Sequence, residues 1–453
     1  MKLNYGQVFV LGFGFLGVTL LWNVYNAFVP IFLQAGNEAY VRSLIEQGRQ
    51  LPQVVGFGIG AGATGFVMTL DNIAAVFIQP WIGVRSDKTR TRLGRRHPYI
   101  LASAPVAALG FMLIPYAARA IPPNFTGQLD RLTIPFALFI GALGITLLAA
   151  AVFRTPAVAL MPDIVPSKYR SQANGIINLM GGVGAILGFF AGGLLFDIDI
   201  TLPFIAGGIV VILAAILVVT LIREPRRYET EDKPPDEVGV IDNLKEVWRE
   251  DDKSMLFLLL AIFFWFVAFN VIETFFTSFA VFSLGQSPGR ASVLLAVVGL
   301  TFMIFAVPAG FIAERFGRRP TIIVGLVGMA LAMGIIFFVP SIIVLWICLA
   351  LAGIMWALVN INSLPMVVDS APQHRLGAYT GLYYFSSMSA AVVGPVLVGG
   401  IIDLLGTQHS IIFLVGPLAL LAAFLCLSRV SRGEVLPAGE PTLTQPLEEP
   451  LSS

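Results

Sequence analysis

Charge is scarce in this chain. Asp, Glu, Lys and Arg make up 12% of its 453 residues, about half of what a soluble globular protein carries. Soluble enzymes and disordered chains both need more, so both classes are excluded. The net charge of +1 leaves no field strong enough to draw polyanions, which argues against a nucleic-acid partner. Cysteine is nearly absent: Cys348 and Cys426 both sit in apolar runs, so no disulfide framework or zinc spacing can be drawn. The three histidines, His97, His374 and His409, lie in predicted loops without cysteine or carboxylate clusters beside them. No metal site, no phosphate-binding loop and no cofactor are expected. The glycines of MGGVGAILGFFAGG, residues 180–193, read as small-residue helix packing rather than as a phosphate cradle.

What fills the chain is apolar. Hydrophobic residues amount to 57% and mean hydropathy is +0.85. Twelve runs are long enough to cross a hydrocarbon core of about 30 Å: 8–34, 57–84, 99–118, 133–161, 172–196, 201–222, 255–284, 291–313, 320–339, 341–368, 376–402 and 410–428. They predict an all-α membrane protein of twelve transmembrane helices, in two pseudo-symmetric halves of six. The first run is too long for a signal-peptide core and has no small-residue cleavage site, so it reads as a retained helix. Most of the 28 Lys and Arg fall in the even-numbered loops and near the termini, which puts both termini in the cytoplasm and the protein in the plasma (inner) membrane.

The expected division is a first half over 1–222, a cytoplasmic linker over 223–254, a second half over 255–430 and a disordered cytoplasmic tail over 431–453. The linker opens with the charged REPRRYETEDKPPDE. It then places Ile241, Leu244 and Trp248 on one helix face, expected to lie on the membrane surface.

The halves repeat two signatures. Gly83–Asp87 followed by RLGRR, ending in Arg95 and Arg96, matches GFIAERFGRR, with Glu314, Arg318 and Arg319. PDIVPSKYRSQANG, with Asp163 and Arg170, matches VDSAPQHRLGAYTG, with Asp369 and Arg375. Parallel six-helix halves of this kind mark an alternating-access transporter. A carboxylate at a helix end beside clustered arginines predicts charge-assisted pairing. Asp87, Arg95, Arg96, Glu314, Arg318 and Arg319 are therefore candidates for a cytoplasmic gate.

These residues carry a resemblance. Twelve spans with both repeated signatures resemble the major facilitator superfamily over about residues 5–430. QPWIGVRSDKTRTRLGRRHPYI, residues 79–100, resembles the sucrose and disaccharide proton-symporter branch. TPAVALMPDIVPSKYR, residues 155–170, is similar to the glycoside–pentoside–hexuronide cation symporters. Two positions depart: Val158 stands where the plant sucrose carriers have an arginine, which here is Arg154, and Gln79 stands where the glycoside symporters have an acid. The resemblance implies that the first, fourth, seventh and tenth spans line a central cavity.

Three ionisable residues sit deep in spans: Asp71 at the midpoint of the second, Arg154 about 10 Å to the cytoplasmic side of the middle of the fourth, and Glu273 near the middle of the seventh. Each would cost about 2.5–3.5 kcal/mol on a lipid-facing surface, so each is expected to face the interior. Tryptophan, which favours interfaces, also occurs at depth: Trp22, Trp265 and Trp356. Asn26 and Asn360 follow Trp22 and Trp356 by four residues, on the same helix faces. An indole plate with amide and carboxylate partners suits a sugar, which has an apolar C–H face and a rim of hydroxyls. The expected substrate site is Trp22, Asn26, Arg154, Trp265, Asn270, Trp356 and Asn360. Asp71 and Glu273 are the expected proton carriers, because a sodium site needs several clustered oxygen ligands. The sequence thus points to a non-enzymatic secondary transporter, a proton-coupled symporter of a sugar or glycoside. Its expected partners are that small molecule, protons and the lipid bilayer, and it is expected to act as a monomer. Two alternatives stand beside it: a carrier of the same fold for a lipid-like or peptidoglycan-derived solute, and a non-transporting assembly or sensor protein.

Overall fold

The computed structural model describes residues 4–46, 48, 54–165, 169–224, 240–249, 251–371, 375–406 and 408–431. The stretch 225–239 of the expected linker, the tail beyond Ser431, and His374, Pro166, Lys168 and Pro372 of the repeated loops lie outside them.

Among the described residues every regular element is helical. Twelve helices are long and apolar enough to cross a membrane. They are α1 (Tyr5–Gln34), α3 (Ala61–Lys88), α4 (His97–Arg119), α5 (Thr133–Ile164), α6 (Arg170–Ile198), α7 (Leu202–Leu221), α9 (Ser254–Ser278), α10 (Pro288–Phe316), α11 (Arg318–Phe338), α12 (Ile342–Asp369), α13 (Leu376–Leu404) and α14 (Ile412–Leu427). A π-turn, Phe279–Ser283, extends α9. Span ends differ from the hydropathy runs by a few residues, and polar residues finish some last turns, as Arg85 and Lys88 do for α3. Two short helices join them: α2 (Glu38–Glu46), which no apolar run announces, and α8 (Val240–Arg249).

Helix α8 departs from expectation. Asn243 and Val247 are buried, and Arg375 at the start of α13 holds both the Asn243 amide at 2.8 Å and the Glu246 carboxylate at 2.7 Å. Leu244 packs against the same core, whereas Trp248 is exposed. Asn243, Leu244 and Val247 thus face the protein and Trp248 does not, because an arginine-anchored amide and carboxylate turn the helix that way; the Ile241 side chain lies outside the described residues. The Arg375 hydrogen bonds hold the Glu246 carboxyl below its usual range.

Helices α1, α4, α5, α6 and α7 pack mainly on one another, as do α9 to α14, while α3 packs on α13 of the other set at least as much as on α1 and α5. The two sets meet along α3 with α13, α6 with α10, and α1 with α9. Leu138, Ile145 and Leu148 of α5, Phe77, Trp81 and Val84 of α3, and Ile304, Val307 and Phe311 of α10 are exposed. That is the apolar outer stripe that lipid solvates.

Candidate functional site

The centre of the molecule is a polar contact between the two helix sets. Asn26 on α1 donates from Nδ2 to Oε1 of Glu273 on α9 at 3.1 Å. Asp71 on α3 accepts from Nδ2 of Asn72 at 2.9 Å. It lies on the side of α3 that buries Thr64, Met68 and Ala75, away from the exposed Phe77 and Trp81. Arg154 on α5 is solvent-accessible, yet at 3.6 residues per turn it lies roughly opposite the Leu138–Ile145–Leu148 stripe. It faces the gap between the sets, within electrostatic range of Asp71, which in turn acts on Glu273 and Tyr25. Tyr25, one residue before Asn26, is fully buried, and its hydroxyl finds no hydrogen-bond partner among the described residues.

Beside this contact is a cavity of about 290 Å³ lined mainly by α9, α10, α11, α12 and α14 and completed from the other set by Asn23 of α1 and Ala185 and Phe189 of α6. Glu273 and Asn23 are its polar lining; the rest, including Phe189, Phe269, Phe302 and Met333, is apolar. Trp356 forms one wall. Its ring stacks on Phe269 at 4.4 Å and 9°, and Phe266 meets it edge-on at 5.4 Å.

The expected substrate residues do not share this one cavity. Trp22 packs against Ala107, Ala149 and Ala150 of α4 and α5, and meets Tyr25 edge-on at 5.4 Å. Trp265 is fully enclosed in the core, and its indole N–H has no partner among the described residues. Asn270 spends its amide on the Phe266 carbonyl of its own helix at 2.7 Å, and Asn360 is half-buried outside the cavity wall. Depth in a span can be read from sequence, but the face a tryptophan presents depends on its neighbours, and that is where the expectation for Trp265 parts from the structure; Trp22 is half-buried.

At the face that carries both described chain ends, hereafter the terminal face, charges form two networks. In the first, Arg96 is buried and pairs with Asp87, Asp163 and the Ser86 hydroxyl, while Arg95 pairs with Asp163. Glu224, just beyond α7, accepts from the backbone N–H groups of Arg95, Arg96 and His97 at 2.7, 3.0 and 2.7 Å. That carboxylate satisfies the open N-terminus of α4. In the second network Arg318 pairs with Asp369, and Arg319 donates to the Ser428 carbonyl. Glu314 is exposed and makes no ion pair among the described residues. The expected Glu314–Arg318/Arg319 pairing is therefore replaced by Arg318–Asp369, because Glu314 precedes the α10–α11 turn on the outward side whereas Asp369 ends α12 beside Arg318. The pairs named in each network lie within one helix set.

The opposite face is joined across the sets. Asp403, in the last turn of α13, accepts from Ala61 N and Gly62 N at the start of α3, at 2.7 and 2.8 Å. Asp197, in the last turn of α6, accepts from Gly289 N and Ser287 Oγ at the start of α10, at 3.0 and 2.7 Å. Buried Gln34 donates to Ser278 at 3.1 Å and meets His409 at 2.7 Å. The seams are close: a Cβ on Gly65 would stand 2.3 Å from the Pro395 carbonyl oxygen, and one on Gly193 2.5 Å from that of Gly289. Sequence reading missed Asp197 and Asp403. Their signal was that both are acids ending glycine-rich spans at corresponding places in the two halves.

The model of the Major Facilitator Superfamily matches residues 11–287 and 275–452. Among curated proteins, the class H tetracycline resistance protein of Pasteurella multocida is 26% identical over 58% of this chain and 60% of its own length. The sucrose transport protein SUC3 of Arabidopsis thaliana is 28% identical over 31% of this chain and 25% of its own. The general alpha-glucoside permease of Schizosaccharomyces pombe is 27% identical over 49% and 41%. The chain thus spans between a quarter and three fifths of these relatives. Among solved structures, a mutant of the nucleoside transporter NupG superposes with a TM-score of 0.68 at 16% identity, over 94% of this chain and 99% of that one. The D-xylose-proton symporter gives 0.65 at 15%, over 95% and 99%. A bacterial homologue of the lysosomal transporter spinster, solved inward-facing and unoccupied, gives 0.65 at 17%, over 94% and 97%. At such identities the likeness is one of fold.

Proposed function

Because this chain belongs to the major facilitator superfamily, a family of multi-pass membrane transporters, we propose that it carries a sugar or glycoside by alternating access, in symport with protons. The observation that carries the reading is the Asn26–Glu273 hydrogen bond between the two helix sets, beside a cavity and within electrostatic range of Asp71 and Arg154. A proton on Glu273 or Asp71 changes the charge at the point where the halves touch, and Arg154 lies within electrostatic range of Asp71. Sucrose and alpha-glucoside carriers among the relatives support the substrate class. On this reading both termini are cytoplasmic, and the face joined across the sets by Asp403 and Asp197 is the outer one.

The domain boundaries are proposed as 1–222 and 255–430, bridged by the segment that holds α8. Asp71 is proposed as the first proton carrier and Glu273 as the second. Trp356 is proposed as the substrate plate, with Asn26 and Arg154 as polar partners. Purified protein in vesicles should accumulate a labelled disaccharide or glycoside when an inward proton gradient is imposed, and a protonophore should abolish it. Uptake that follows sodium and ignores the protonophore would overturn the coupling. Trp356→Leu should weaken substrate affinity about tenfold, in line with an aromatic contact of about 0.5–1.5 kcal/mol and its lost area, in protein that unfolds at the parental temperature.

A further inference from the structure

Taking the sugar-or-glycoside reading as its basis, we propose that the natural substrate is amphipathic: a glycoside whose aryl or similarly bulky apolar aglycone occupies the cavity between α9, α10, α11, α12 and α14, while its sugar sits at the α1–α9 contact.

The cavity is lined mostly by the second helix set, with Asn23 of α1 and Ala185 and Phe189 of α6 on its remaining side. It reaches into the second helix set from Glu273 and Asn23, which stand at its central side, and ends among Met333, Ile336, Leu349 and Phe413. Trp356 contributes its ring to the wall, held rigid by Phe269 stacked on it and Phe266 at its edge. At about 290 Å³ the space is near the lower limit of small-molecule sites, about 300–1,000 Å³. One aromatic ring or an equivalent branched chain fits such a volume; a disaccharide does not. Chemistry agrees with size. A sugar hydroxyl placed among Met333, Ile336 and Phe413 would lose its water without gaining a partner, at about 1–3 kcal/mol each. An aryl group there gains dispersion and sheds its hydration.

Polar groups gather only where the cavity opens toward the centre. Glu273 is held by Asn26, Asn23 is one turn away on α1, and Asp71 and Arg154 lie across the gap. A ligand that fills the cavity and reaches these groups must therefore be apolar at one end and hydroxylated at the other.

The test is equilibrium binding to the purified full-length protein of phenyl α- and β-glucoside, glucose, sucrose, maltose, and phenol as the sugar-free probe. One phenyl glucoside is expected to bind at least about tenfold tighter than glucose, sucrose, maltose or phenol, the discrimination that a small change in apolar fit supplies. Ala352→Leu, which fills the cavity from α12, is expected to bring that preference close to unity. Gly299→Val serves the same purpose where Ala352→Leu fails to fold; a Cβ there meets only Ile186, at 3.7 Å. Equal binding of phenyl glucosides and free sugars, or a preference unmoved by either filling variant, would overturn the inference while leaving sugar transport intact. Phenol binding as tightly as the phenyl glucosides would overturn the sugar end of the substrate. Binding of phenol with none of the sugar-bearing compounds would overturn the sugar reading itself.

Discussion

At the opposite face the two helix sets hold each other with Asp403 and Asp197 on backbone N–H groups of α3 and α10. At the terminal face the stronger charge pairs, Arg95 and Arg96 with Asp163 and Arg318 with Asp369, all lie within one set. The difference teaches where the reversible contacts are. The Arg96 pair, whose arginine is buried, is costly to break and braces the first half as a body, whereas the exposed Arg318–Asp369 pair adds little to the second. Exposed carboxylate caps worth about 1 kcal/mol apiece are weak enough to release and re-form as the halves rock.

Four experiments would break or sharpen that contrast. The largest effect is expected from Asp71→Asn combined with Glu273→Gln, at the point midway between the two faces. Accumulation against a gradient should vanish while exchange of substrate across the membrane persists; full accumulation in the double variant would dissociate the central carboxylates from coupling. Next, Asp163→Asn should destabilise the protein by about 3–5 kcal/mol, because it strips a partner from buried Arg96. Asp369→Asn, in an exposed pair, should cost less than about 1 kcal/mol. Thermal unfolding in detergent compares them, and equal losses would mean that the two networks brace their halves equally.

Third, Asp197→Asn and Asp403→Asn should each shift the population toward an open opposite face about fivefold, from about 1 kcal/mol per cap. Their effects should add, since the caps share no partner. Labelling of cysteines introduced along α3 or α10 reads the shift, and unchanged labelling would remove the caps from the closing mechanism. The smallest effect concerns Asp199, on the opposite face but bonded within one set. The Thr201 hydroxyl and backbone N–H, with Arg119, hold its carboxyl below the usual range. Its stabilisation should be present above about pH 4 and fade as pH falls through the lowered value. Asp199→Asn should therefore lower the unfolding temperature slightly at pH 7 and not at pH 2, without altering the labelling.

The architecture was legible because a span must satisfy its backbone internally and face lipid, which writes long apolar runs into the sequence. Asp71, Arg154 and Glu273 were legible as residues too costly to leave facing lipid. The partner of Glu273 was not, since Asn26 lies 247 positions away and only helix packing brings the two together. Trp265 illustrates the converse: its depth was evident, but its enclosure depends on which neighbours surround it. Glu314 was read from its repeat partner Asp87, and the halves diverge there: Asp87 pairs with Arg96, whereas Arg318 turns to Asp369.

The glycine seam has a practical consequence. At Gly65 the Pro395 carbonyl leaves no room for a first side-chain carbon, and a Cβ on Gly399 would likewise stand 2.4 Å from the Ala61 carbonyl oxygen. Sliding surfaces without side-chain teeth can part and rejoin with little friction, but they have no tolerance for a wedge. A single methyl group at position 65 would hold this side ajar, which makes Gly65→Ala a means of trapping the carrier in the conformation it does not adopt here.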